Sequence, residues 1–350
     1  MASRYQDEGI PIRFLNCDLG QMRSPRAFMA SRRGLRAVVE EVAPDLIHNH
    51  FVGPALFTRL ALGRHRGPLR VFQVPGPLHL EHGATRTADL WSAGSTDYWI
   101  ASCRKTRDIY LSAGIAPERV GFSYYGTDTD ALVEARPGRV RPGLGLPSTT
   151  RLIGMVAYAY RPKRWLGRRK GIKGHEDLID AVALLRKERR DVAVVFAGGP
   201  WVGAETYFES IKRYASQVLG SRALFLGSRD DVMDIYADLD VAVHPSHSEN
   251  LGGAVESLLA AVPTVATNVG GLPDIVIPGE TGWLCHPRSP GSLASAIGAA
   301  LDDPAEASKR GLAGRALIKR DLNVNATAAQ VADYYRLLLR SGRPAGATLD

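Results

Sequence analysis

Two glutamates and a pair of glycines lie between two short apolar runs in the second half of the chain. Glu249 follows the run that ends at His244, and Glu256 comes shortly after Gly252 and Gly253. Glycines before a helix let a ligand approach bare backbone N–H groups, and a helix N-terminus carries about half a positive charge, so this pair suits a phosphate. Carboxylates accept hydrogen bonds from sugar hydroxyls. The stretch indicates a nucleotide-sugar site, although an ordinary βαβ turn with surface glutamates would show the same pattern.

The surrounding elements predict an α/β protein. Short apolar runs alternate with helical segments along the chain, which is typical of parallel sheets covered by helices on both faces. In the first half the strands are expected at 11–15, 46–48, 71–74, 99–101 and 120–124, and the helices at 32–42 and 54–62. In the second half the strands are expected at 152–158, 192–196, 224–226, 241–243, 264–266 and 283–285, and the helices at 176–186 and 206–218.

A segment rich in proline, glycine and arginine divides this pattern. Residues 136–150 show no hydrophobic periodicity and are interpreted as an interdomain linker. The domains are therefore expected at residues 1–145 and 146–325. The last helix is expected at 326–342 as an amphipathic segment, with Asn325 as its cap.

Composition limits the class of protein. With 45% hydrophobic and 23% charged residues, the 350-residue chain is ordinary for a globular protein of two domains. The three cysteines, Cys17, Cys103 and Cys285, are far apart and lack metal or redox spacing, so we interpret them as reduced core residues of a cytoplasmic protein. The net charge of +8 permits anionic partners, including an acidic membrane face. Its arginine clusters lack interleaved aromatic residues, so no nucleic-acid partner is expected.

The pattern around the two glutamates resembles the retaining glycosyltransferases of family 4, which have the GT-B architecture of two facing Rossmann-like domains. The matching residues are Pro245-Ser246, Glu249, Gly252-Gly253, Glu256 and Gly270-Gly271. Six residues, 250–255, separate the two glutamates, which is one fewer than the family usually has. The resemblance implies transfer of a sugar from a UDP- or GDP-sugar to a hydroxyl acceptor with retention of anomeric configuration, without a metal or other cofactor. The acceptor would be a glycan, a lipid-linked molecule or a small molecule.

The resemblance also implies roles for individual residues. Lys173 fits the family's Lys-Gly pair and would face the donor diphosphate, with Arg161 as its partner. Glu256 would hold the ribose hydroxyls, and Glu249 would orient the sugar. His79 follows a strand and would reach the donor sugar across the cleft. The remaining residues expected at the donor site are Ser246, Gly252, Gly253 and Gly198.

Several alternatives stay open at this point. His82 competes with His79 for the donor-sugar role, and the pair His48 and His50 suits either the acceptor side or a metal. Compared with the family, the chain begins near the end of the first helix, so the N-terminal domain is expected to lack its first strand and glycine loop. The expected pathway is polysaccharide or cell-envelope glycan synthesis, in the cytoplasm or at the inner membrane face. A non-catalytic nucleotide-sugar-binding protein, or another GT-B enzyme such as a sugar-nucleotide epimerase, are the rival functions.

Overall fold

The computed structural model describes residues 2–15, 24–64, 67–130, 136–162, 170–188 and 190–341. These residues form two parallel β-sheets, each flanked by helices. The first sheet has the order β1-β2-β3-β4, with β1 Leu46–His50, β2 Leu69–Val74, β3 Asp97–Ala101 and β4 Val120–Phe122. The second has the order β10-β9-β8-β5-β6-β7, with β5 Arg151–Val156, β6 Val192–Ala197, β7 Ala223–Gly227, β8 Val241–His244, β9 Thr264–Thr267 and β10 Trp283–Cys285.

Thirteen α-helices lie within these described ranges. In the N-terminal domain they are α1 Ala2–Asp7, α2 Pro25–Val42, α3 Val52–Leu62, α4 Gly83–Ser92 and α5 Arg104–Ser112. The others are α6 His175–Lys187, α7 Glu205–Leu219, α8 Val232–Ala237, α9 Ala254–Leu259, α10 Leu272–Ile275, α11 Pro290–Asp302, α12 Pro304–Asp321 and α13 Val324–Ser341. Among the helices so described, none has both the length and the apolar character needed to cross a bilayer.

The strands of the second sheet form because their residues are apolar on both faces. Every residue of β6 is buried, and β6 lies between β5 and β7, with a register shift against β7 between Phe196 and Ala197. Helices α6 and α11 cover one face of this sheet, where Leu178 and Ile297 are fully buried. The expected strands in this half are confirmed, with bounds that differ by one or two residues. A sheet buried on both faces holds its strand ends in fixed positions, and the polar loops that follow those ends inherit that rigidity.

The final helix returns to the N-terminal domain. The chain crosses beside residue 127, where Thr127 N–H donates to Leu322 O at 2.8 Å and Val324 N–H donates to Thr127 O at 2.9 Å. Helix α13 then packs on the first sheet, where Leu338 is buried against Val71 and Ile100. Gly121 has no room for a side chain, since an added Cβ would lie 2.9 Å from the Tyr334 ring.

Two expectations for the ends of the described chain are wrong. Residues 11–15 form no strand and lie largely exposed, because no described strand pairs with their backbone and Pro11 has no N–H to donate. Asn325 does not cap the last helix. Asn323 does so, since its side-chain oxygen accepts from the N–H groups of residues 325 and 326 at 3.0 and 3.3 Å.

The segment expected to be a linker is attached to the C-terminal domain. Asp238 accepts backbone N–H groups from Gly138, Val140 and Arg141, and Asp234 forms an ion pair with Arg136. The division of the chain at residues 145 and 146 remains a prediction. Cys17 lies outside the described residues, whereas Cys103 and Cys285 are buried free thiols, as expected.

Candidate functional site

The turn after β8 is held by side chains that fix the carboxylate of Glu249. Ser246 Oγ donates to Glu249 Oε2 at 3.1 Å, and the Ser246 carbonyl accepts from Thr267 Oγ1 at 2.6 Å. Gly252 adopts the left-handed backbone region with φ +50°, and a Cβ there would lie 2.9 Å from the Glu249 carboxyl carbon. Ser246 and Gly252 therefore act behind Glu249 in this structure. Neither residue lines the cavities described below.

Lys173 extends from the loop before α6 toward the same carboxylate. Its Nζ forms an ion pair with Glu249 Oε2, and both side chains are largely buried. The loop is fixed because His247 N–H donates to Ile172 O at 2.7 Å and Gly174, with φ +76°, lies against the Pro245 carbonyl. The ammonium is therefore anchored although its stem is flexible.

A cavity of about 270 Å³ opens within the C-terminal domain at the ends of its strands, and we call it the inner cavity. It is lined by Val156, Ala157, Tyr158, Tyr160, Lys173, Ala197, Gly198, Ser228, Arg229, Val232, Gly253 and Glu256. Gly198 has φ +124°, and a Cβ there would lie 2.2 Å from Ala157 O. Burial raises the pKa of Glu256, and the positive charge of Lys173 opposes that shift. The inner cavity is thus lined by a carboxylate, an ammonium group and glycine backbone that a ligand can approach closely.

A second cavity, of about 280 Å³, lies between the two domains, and we call it the interdomain cavity. Its N-terminal wall consists of residues 75–78 and His82. Its C-terminal wall includes Arg161, Lys170, Lys173, Glu249 and Asn250. Lys173 and Tyr160 line both cavities, so the two spaces meet at these side chains.

His79 points into the N-terminal domain. It lies at the end of a short 3₁₀ helix, Pro77–His79, with its Nε2 3.3 Å from Asp89 Oδ2 and 3.3 Å from the Tyr110 hydroxyl. Burial disfavours the charged form of Asp89, but hydrogen bonding to His79 and the charge of Arg59 keep its pKa below the ordinary value. His79 is 8% exposed and lines neither cavity. The histidine on the interdomain wall is His82.

His48 and His50 lie in the second half of β1 and line neither cavity. Their rings are 4.3 Å apart, and His48 Nδ1 contacts the Tyr335 hydroxyl of α13. Burial, and then the neighbouring His50, lower the pKa of His48 to about 4. Among the described residues, no three His, Cys, Asp or Glu side chains lie close enough together to hold one metal ion.

The geometry therefore brings together most of the site residues expected from the sequence. Glu249, Lys173 and Arg161 meet at the interdomain cavity, and Glu256, Gly198 and Gly253 meet with Lys173 at the inner cavity. Sequence reasoning missed Asn250 and Tyr160. Each carried a weak signal: Asn250 follows the first glutamate directly, and Tyr160 follows the strand that enters the inner cavity.

Comparison with known proteins matches both domains to glycosyltransferase families. A model described as "Glycosyltransferase Family 4" matches residues 4–131, and one described as "Glycosyl transferases group 1" matches residues 165–316. The chain belongs to glycosyltransferase family 4. The chain has the GT-B fold, with two parallel-sheet domains facing each other across the interdomain cavity.

Similar proteins include a D-inositol 3-phosphate glycosyltransferase of Corynebacterium diphtheriae, 35% identical over 60% of this chain and 48% of the relative. A glycogen synthase of Mycobacterium tuberculosis is 33% identical over 51% of this chain and 43% of the relative. The chain therefore spans about half the length of the curated relatives that it matches. Among solved structures, HepE of Anabaena, in complex with UDP and glucose, superposes with a TM-score of 0.77 at 21% identity and covers 96% of this chain and 88% of HepE.

Proposed function

We propose that this glycosyltransferase moves a sugar from a nucleoside diphosphate sugar to a hydroxyl acceptor and retains the anomeric configuration. The observation that carries the proposal is that Lys173 lines both cavities. A donor with its nucleoside in the inner cavity and its sugar in the interdomain cavity must pass its diphosphate between them. A lysine at that junction would stabilise the negative charge that develops on the leaving diphosphate.

In this proposal, each group around Lys173 binds a different part of the donor. Glu256 accepts hydrogen bonds from the ribose hydroxyls, and the backbone at Gly198 and Gly253 approaches the nucleotide closely. Glu249 orients the sugar once the diphosphate takes over its contact with Lys173. Arg161 is exposed on the interdomain wall, where its guanidinium is available to the diphosphate.

We assign the contact across the cleft to His82 instead of His79. His82 lines the interdomain cavity, whereas the His79 ring is committed to Asp89 and Tyr110. The transfer step needs a base for the acceptor hydroxyl proton, and we propose that the leaving diphosphate oxygen accepts it on the same face of the sugar. That geometry is consistent with retention without a covalent enzyme intermediate.

The relatives support the proposal by name, since both are named for glycosyl transfer or glycan synthesis. HepE, which shares the fold, was crystallised with UDP and with UDP-glucose. We extend the proposal to polysaccharide or cell-envelope glycan synthesis, by an enzyme that works in the cytoplasm and meets its acceptor at the inner membrane face. Reaction without a metal or other cofactor belongs to the same proposal.

A donor panel tests this function. Isothermal titration with UDP and GDP should give binding by one of them, and UDP-, GDP- and TDP-sugars should be tested for hydrolysis and for transfer. Proton NMR of the first product should show the anomeric configuration of the donor, and EDTA should leave the rate unchanged. An inverted product, an EDTA-sensitive rate or the absence of nucleotide binding would contradict the corresponding part of the proposal.

A further inference from the structure

Helix α5 of the N-terminal domain has no side-chain cap of its own. Its N-cap residue is Cys103, whose side chain makes no capping hydrogen bond. Cysteine is not among the residues that satisfy the first N–H groups of a helix well. Asp274 of the C-terminal domain supplies the acceptor instead, since its Oδ2 accepts from the Arg104 N–H at 2.8 Å. The Tyr124 hydroxyl also approaches this oxygen, at 3.4 Å.

The surroundings of Asp274 favour this contact. It lies on α10 and is 9% exposed, and burial raises the pKa of its carboxyl group. The positive end of α5 and the Arg104 N–H favour the ionised form at this position. A buried carboxylate on one domain that caps a helix of the other ties the two domains together at one defined place.

Two glycines let the domains approach closely at the same place. A Cβ on Gly271 would lie 2.7 Å from Cys103 Cβ, and a Cβ on Gly76 would lie 3.0 Å from Asn250 Cβ. Ser102, the residue before Cys103, has its hydroxyl 3.3 Å from Asn250 Oδ1. Contacts between the two domains thus extend from the end of β3 to the turn that carries Glu249.

The same turn links Asp274 to Glu249. Gly271 N–H donates to Asn250 O at 3.0 Å, and Asp274 N–H donates to Gly271 O at 2.9 Å. Backbone hydrogen bonds therefore connect Asp274 through Gly271 to Asn250, the residue next to Glu249. The distance from Glu249 to the opposite wall of the interdomain cavity depends on where Asp274 meets α5.

We propose that Asp274 is a positioning residue, an interdomain cap that sets the Glu249 turn against the N-terminal wall of the cavity. Its catalytic consequence rests on the proposed transferase function, whereas its structural consequence does not. Removal of the cap should let the domains separate, while the inner cavity, built only from the C-terminal domain, stays intact. Nucleotide binding and sugar transfer should therefore respond differently to the loss of Asp274.

The test compares Asp274→Ala with a double variant that adds Cys103→Ser. The serine hydroxyl would accept from the N–H of residue 105 or 106, so it strengthens the start of α5 without restoring the contact between the domains. We expect Asp274→Ala to lower the melting temperature and to increase the radius of gyration in small-angle scattering. The double variant should recover part of the loss in melting temperature but not the smaller radius. Asp274→Asn keeps an oxygen acceptor and should resemble the wild type in both measurements.

Activity measurements complete the test. We expect UDP or GDP, whichever binds the wild type, to bind both alanine-containing variants with unchanged affinity, while kcat for transfer falls roughly 10- to 100-fold because the reacting groups are misplaced. Asp303→Ala is the matched control, since Asp303 Oδ1 accepts from the Glu306 N–H at 3.0 Å and so caps α12 within its own domain. This variant should lower the melting temperature but leave the radius of gyration and kcat unchanged. Recovery of the radius or of kcat by Cys103→Ser would overturn the proposal, as would an unchanged radius in Asp274→Ala. If no nucleotide binds the wild type, the proposed function fails, and the scattering data still decide the role of Asp274.

Discussion

Replacement of Glu256 by glutamine should separate nucleotide affinity from stability. Glu256 lines the inner cavity beside Gly253 and Lys173, and in the proposed function it accepts hydrogen bonds from two ribose hydroxyls. A hydrogen bond to a charged group contributes about 1.5–3 kcal/mol and one to a neutral group about 0.5–1.5 kcal/mol, so loss of the charge should raise the dissociation constant by roughly 5- to 15-fold. Isothermal titration with the nucleoside diphosphate that the wild type binds measures this change directly.

The same substitution should not weaken the unliganded protein and could only raise its stability. Burial raises the pKa of Glu256 in the folded protein above its unfolded value. The stabilising contribution of this group is therefore complete below the unfolded pKa and is lost as the pH rises through the folded pKa. At neutral pH the ionised carboxylate is a cost to folding, so Glu256→Gln should keep or raise the melting temperature.

The same shift predicts a pH dependence of binding. Affinity should fall as the pH drops through the raised pKa of Glu256, because the protonated carboxyl group is a weaker acceptor. Glu256→Gln should remove this part of the pH profile and leave the part that belongs to the phosphate of the ligand. Glu280→Gln is the control, since Glu280 is exposed in the same domain and lines neither cavity. Equal affinity of Glu256→Gln and wild type at neutral pH would refute the assigned role.

Four further substitutions test the rest of the site. Lys173→Ala should weaken binding of the nucleoside diphosphate but not of the nucleoside, and equal losses for both ligands would show that Lys173 does not contact phosphate. Gly198→Ala should destabilise the fold by about 1–3 kcal/mol in denaturant titration, because φ +124° is strained for alanine and its Cβ would meet a backbone carbonyl at 2.2 Å; an unchanged midpoint would contradict this reasoning. His79→Ala should lower stability by about 1–3 kcal/mol, because it removes a buried side chain that hydrogen-bonds to Asp89 and Tyr110, whereas His82→Ala should lower transfer alone, and the reverse pattern would return the cleft role to His79.

The alternation of strands and helices was sufficient to predict parallel-sheet α/β domains, because buried parallel strands are apolar on both faces and need no partner to be recognised. The GT-B architecture itself was implied by the family resemblance around the two glutamates. Residues 11–15 have a similar composition, but a strand also requires a neighbour to pair with, and composition does not report on neighbours. The cap of the last helix was misplaced by two residues for a related reason. Asn323 and Asn325 are both suitable residues, and only the backbone path decides which one precedes the first turn.

The sequence predicted the candidate site where the residues of the site lie close together in the chain. Glu249, Gly252 and Glu256 belong to one turn, so their spacing carried the information. The ion pair between Lys173 and Glu249 joins residues 76 positions apart and depends on how two strand ends are aligned. The orientation of His79 depends on Asp89 and Tyr110, which come from two later helices, so local sequence could not distinguish it from His82.

The return of α13 to the first sheet has a consequence for the order in which the protein can fold during synthesis. Tyr335 on this helix contacts His48 across 287 positions of sequence, and Leu338 completes the cover over Val71 and Ile100. The domain that leaves the ribosome first must therefore wait for the last segment of the chain before its sheet is covered. The C-terminal domain has no such dependence and can fold as soon as it emerges. A nascent chain stalled before residue 324 should present the apolar face of β2 and β3 to chaperones, and release of the final helix should end that exposure.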